Sequence, residues 1–174
     1  MKNLQELLIS LDACRDGQHF AQGKTIEDVV KTCPRGDWLL WFSAKIDIDK
    51  KRIVLAKARC AKTVVHLMKD QRSINAVAVA ELYGSGLISF GRLKSAADAA
   101  AAATAAAVDA AVDAAAYAAY AAAAVDAAVD AAAYDAYAAA AAADARKENR
   151  ENTANICREL LGDLIIKKVN QLIK

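Results

Sequence analysis

Leucines at positions 4, 7, 8 and 11 recur at helical spacing and predict a first helix over about residues 2–14. Asp16-Gly17 and Gly23 then predict a loop. Thr25 and Asp28 stand at capping-box spacing, with Asp in the place of Glu, and open a short second helix. Pro34 ends it, because the residue before a proline avoids the helical region. Gly36-Asp37 re-caps the chain, and Trp38, Leu39, Trp41 and Phe42 make a third, strongly apolar helix. Asp47–Asp49 is a polar turn with Asp49 as the next N-cap. The fourth helix runs to about Lys69. Ile53, Ala56, Cys60, Val64, Leu67 and Met68 occupy one side, and Lys50, Lys57, Arg59, Lys62 and Lys69 keep the rest wet. Ser73 caps a fifth helix to about Tyr83. Gly84-Ser85-Gly86 is the clearest break, and a sixth segment begins near Leu87 and enters an alanine tract after Gly91.

That tract changes the pattern. Residues 96–145 hold 34 alanines in 50 positions. The string VDAAVDAAAYAAY at 108–120 recurs at 125–137 with one change, Asp135 for Ala118, so the repeat is 17 residues long. Asp109, Asp113, Tyr117 and Tyr120 share one helix face, as do Asp126, Asp130, Tyr134 and Tyr137, because a helix advances about 100° per residue. A straight helix of more than 50 residues would reach about 75 Å, against about 35–40 Å for a compact chain of this size. A break near Ala121–Ala124 would let the two copies face a common partner, and alanine permits close helix packing. The last residues return to an amphipathic pattern. Ile156, Leu160, Leu161, Leu164, Ile165, Val169, Leu172 and Ile173 form its apolar side, with Lys167, Lys168 and Lys174 opposite. Such a helix packs on the bundle or lies at a membrane surface; Gly162 weakens the second choice.

The expected fold is all-α: a compact helical bundle in which the alanine-rich segment folds into closely packed helices. One proline and seven glycines among 174 residues support it. The chain reads as a single helical domain, with a basic half (1–95), the Asp/Tyr repeat (96–145) and the C-terminal helix (146–174). Net charge is +2, but it is segregated. Lys and Arg exceed Asp and Glu by 16 to 10 in the first part, are outnumbered 0 to 7 in the second, and lead 7 to 4 in the third. Self-complementation explains this better than nucleic acid does. Four scattered cysteines without a CxxC fit a reduced, cytoplasmic setting. No apolar signal run opens the chain, and the aspartates make the tract unfit to span a bilayer.

Catalytic patterns are absent: the Gly84–Gly91 region has neither dinucleotide-loop spacing nor a phosphate-loop lysine. Cys14, Cys33, Cys60, His19 and His66 lack metal-ligand spacing, so no metal and no cofactor are expected. Two features remain as candidate binding surfaces. The stripes Asp109, Asp113, Tyr117, Tyr120, Asp126, Asp130, Tyr134 and Tyr137 either solubilise and wedge helices or offer carboxylates and phenols to a ligand. In the string CPRGDWLLW at 33–41, Arg35 and Asp37 flank a helix start and Trp38 follows. It is a cap with an aromatic anchor, or a place for an anion or carboxylate.

These features, taken in order, resemble an alanine-rich immunity-protein family of bacterial polymorphic-toxin systems, which also occurs in phage genomes. The matching elements are Asp12-Ala13-Cys14, the Cys33–Trp41 string, ARCA at 58–61, HLMKD at 66–70, Arg72-Ser73, Tyr83-Gly84 and the Ala/Asp/Tyr tract. They cover nearly the whole chain. The resemblance implies a small cytosolic helical protein that neutralises something by binding, and it supplies no catalytic set. The expected function is therefore a non-enzymatic binder of a protein toxin or defence effector, in an immunity or phage anti-defence role. The alternative is a small-molecule binder that sequesters a nucleotide-type signal. No nucleic acid or membrane partner is expected, and a homo-oligomer is compatible with the alanine surface.

Overall fold

Asn3 accepts the Glu6 amide at 2.8 Å while its own amide meets the Glu6 carboxylate, a reciprocal cap that opens helix α1 (Leu4–Ser10). The computed structural model describes residues 3–68, 70–107 and 143–173. Six further helices follow in the first two of these spans: α2 (Arg15–Ala21), α3 (Ile26–Thr32), α4 (Gly36–Lys45), α5 (Lys50–Lys62), α6 (Gln71–Gly84) and α7 (Phe90–Ala107). A 3-10 turn, Val65–Leu67, separates α5 from α6, and α8 (Ala143–Leu172) closes the described chain. All regular structure among the described residues is helical, and the helices pack against one another. The expected break at Ala121–Ala124 lies outside the described residues.

Several local expectations hold. Thr25 and Asp28 form the reciprocal box at the start of α3. Cys33, before Pro34, is extended with ψ 119° and ends that helix. Asp49 accepts the Arg52 amide at 3.1 Å and caps α5. Others are corrected. The first helix stops at Ser10, because Asp12 takes a left-handed φ of 60°. Asp16 and Gly17 belong to a helix rather than a loop: the Cys14 sulfur accepts the Gly17 amide and starts α2. Arg35, not Gly36-Asp37, is the N-cap residue of α4, and no side chain caps it. α5 ends at Lys62, where the Thr63 hydroxyl turns back onto the Cys60 carbonyl at 2.7 Å. Asp70 caps α6 in place of Ser73, accepting the Arg72 amide at 2.7 Å.

The C-terminal helix is central rather than peripheral. Ala154, Cys157, Leu161, Ile165 and Val169 form a stripe at i, i+3, i+7, i+11 and i+15, and each is 0% exposed. Fully burying Leu161 or Ile165 contributes about 1.5–3 kcal/mol per side chain. The stripe seats α8 against α3, α4 and α5, so the face available to a membrane surface is spent on the core. The Arg158 guanidinium donates to the Cys33 carbonyl at 2.6 Å and ties α8 to the α3–α4 corner. At Gly36 the backbones nearly touch: a Cβ there would lie 2.8 Å from the Thr153 carbonyl.

α5 is buried on both sides, between α6 on one flank and α4 and α8 on the other. Val54, Ala58 and Ala61 join Val77, Ala80, Tyr83 and Leu93 in a second, smaller core. Lys57, expected on a wet face, is consequently buried, and it is partnered.

Candidate functional site

The first four helices enclose a cavity of about 290 Å³. Leu4 and Leu8 of α1 and Ala21 of α2 line it. Val29 of α3 and Leu39 and Phe42 of α4 add further apolar wall. Phe20, Trp38 and Trp41 supply aromatic surface and stay partly exposed. Polar groups are few: Asp12 and Cys14 from the α1–α2 link, Cys33 before α4, and Asp37 in its first turn.

Each polar group is placed by a local device. Asp12 is the left-handed residue of a Schellman turn: its amide reaches the Ile9 carbonyl at 3.0 Å, and that of Ala13 reaches Leu8 at 3.0 Å. The turn places Asp12, which is exposed, in the cavity lining. The Cys33 thiol donates to the Arg35 carbonyl at 3.3 Å, and burial pushes its pKa up. The Arg35 guanidinium takes both carboxylate oxygens of Asp37, with Nε at 3.0 Å from Oδ1, and lies 4.8 Å from the Trp38 ring centre. Phe20 and Trp38 meet at 6.0 Å with their planes 57° apart. The Lys24 ammonium lies 3.5 Å from the centre of Phe20, and that of Lys45 lies 5.8 Å from that of Trp41.

In comparisons with family models, curated proteins and solved structures, nothing matches this chain.

Of the residues singled out in the sequence, Asp37 and Trp38 line this cavity and Arg35 pairs beside it. Asp109, Asp113, Tyr117, Tyr120, Asp126, Asp130, Tyr134 and Tyr137 lie outside the described residues. Asp12, Cys14, Phe20 and Trp41 were not among the expected site residues, although Asp12-Ala13-Cys14 and Trp41 stand in the strings that carry the family resemblance. Among the described residues no three His, Cys, Asp or Glu side chains are grouped to hold a metal ion. No described helix is long and apolar enough to cross a membrane.

Proposed function

We propose that this chain is a non-enzymatic binding protein that neutralises a protein toxin or defence effector, in an immunity or phage anti-defence role. Its N-terminal cavity grips the target. The observation that supports this is the cavity itself: a concave apolar site, walled by Phe20, Trp38 and Trp41, with a few polar groups. Its volume is near the lower end of ligand sites, about 300 Å³, and suits one anchoring side chain. Tryptophans that a partner can bury are frequent energetic centres of protein interfaces. Of the two thiols at the cavity, Cys33 is buried and donates to the Arg35 carbonyl, which supports a gripping role over nucleophilic chemistry there. The alternative of a nucleotide-type ligand meets the Asp12 carboxylate and an Asp37 already paired with Arg35, while no Lys, Arg or His lines the cavity to take phosphates.

Ala13 lines the cavity and is 9% exposed, so Ala13→Leu should fill it without removing a wall. Cells carrying the wild-type chain should survive a cognate toxin or effector. The Ala13→Leu protein should lose both protection and co-purification of that toxin while keeping its melting temperature. Full protection by the folded variant would remove the cavity from recognition. A small ligand retained in native mass spectrometry, and expelled by the same substitution, would favour the alternative.

A further inference from the structure

The N-terminal cavity combines aromatic and acidic lining residues. We propose that it takes a cation on an apolar stem, the ammonium or guanidinium of a basic side chain presented by a protein partner. This rests on the reading of the cavity given above.

The lining carries two charged side chains, Asp12 and Asp37, and both are negative. Asp12 is exposed, and the Schellman turn fixes its backbone. Three aromatic side chains share the lining with Asp12. Ring faces carry negative potential, so a wall of Phe20, Trp38 and Trp41 attracts a cation and accommodates a hydrocarbon stem equally well.

The chain's own cations show the same preference. Lys24 sits over Phe20, Arg35 over Trp38 and Lys45 over Trp41, one cation for each ring. Arg35 also holds Asp37, so guanidinium, indole and carboxylate already form a working trio at the edge of the cavity. None of these three cations lines the cavity. A partner's lysine or arginine entering it would meet the Asp12 carboxylate at one end and ring surface along its length. Long basic side chains bury their methylenes in this way while the charged head finds an acceptor. An anion entering the cavity would meet the Asp12 carboxylate and no lining cation.

Three single-ring probes of similar size test the charge preference: benzylammonium, benzyl alcohol and benzoate, titrated against the whole chain and followed by tryptophan fluorescence. Benzylammonium should bind at least about tenfold more tightly than benzoate, with benzyl alcohol between them. Asp12→Asn should weaken benzylammonium severalfold and leave benzyl alcohol unchanged. Equal affinity for all three probes, or tightest binding of benzoate, overturns the cation inference and leaves the cavity as a binding site. Failure of every probe to bind overturns both. A cation preference in a protein whose Ala13→Leu variant still protects cells overturns the neutralising role and leaves the chemistry standing.

Discussion

Gly84 on α6 lies against the backbone of Leu55 on α5, so closely that a Cβ on it would stand 2.6 Å from the Leu55 nitrogen and 2.7 Å from its Cα. The conflict is with backbone, which cannot rotate away. Gly84→Ala should therefore destabilise by at least about 1–3 kcal/mol, although alanine is the better helix former by about 1 kcal/mol. Gly36→Ala, facing the Thr153 carbonyl, should behave likewise. At Gly162 the nearest atom is Val30 Cγ1 at 3.1 Å, a side-chain methyl. There the crowding and the propensity oppose each other, and Gly162→Ala should change stability by less than about 1 kcal/mol. Denaturant melts of the three variants check the order; a Gly84→Ala protein as stable as wild type would contradict the close approach.

The Cys60 and Cys157 sulfurs lie 3.8 Å apart in the core, while Cys14 is exposed. Hydrogen bonding to Cys60 and burial together push the Cys157 thiol well above its usual range, and burial raises Cys33. Thiolate is the reactive form. A thiol reagent at neutral pH should thus modify Cys14 rapidly and reach Cys33, Cys60 and Cys157 at the rate of unfolding. Rapid modification of a second thiol in the native protein would show the core to be open.

Asp47 has a φ of 59°, with its amide bonded to the Ala44 carbonyl and that of Ile48 to Ser43, the same turn that Gly86 makes after α6. A side chain in this conformation is strained. Asp47→Gly should raise stability by about 0.5–1 kcal/mol, and Asp47→Ala should lower it by a similar amount. The two chemical-denaturation midpoints should move in opposite directions.

Hydrogen bonds from the Arg72 side chain and amide hold the Asp70 carboxyl below its usual pKa, and Glu27 is lowered by a backbone amide and by Asn170 of α8. A depressed native pKa contributes stability that is complete above the unfolded value and lost as pH falls through the native one. Melting temperature should hold from pH 7 to about 5 and then decline below about pH 4. Asp70→Asn should flatten part of that decline. A profile unchanged by the substitution would mean that Asp70 has the same pKa in both states.

Much of the helical pattern was legible in the sequence because its signals are local. The Thr25–Asp28 box, the Asp49 cap, the stop before Pro34 and the Gly84–Gly86 break each close a hydrogen bond within a few residues or forbid a backbone angle at one, so they need no neighbour. The apolar run from Ile156 to Ile173 likewise marked a packed face, of which Leu161, Ile165 and Val169 are fully buried while Leu172 is exposed. What it met was decided elsewhere. Lys57 follows helical spacing for a wet position, yet α5 has neighbours on both flanks and every residue from Ile53 to Ala58 is buried. The cavity was equally hidden: Asp12, Phe20 and Trp41 belong to the link after α1, to α2 and to α4, and no spacing rule joins them. Periodicity tells which residues of one helix share a side. Which helix covers that side, and how closely, follows from the shapes of both surfaces, as Gly84 against Leu55 and Gly36 against Thr153 show.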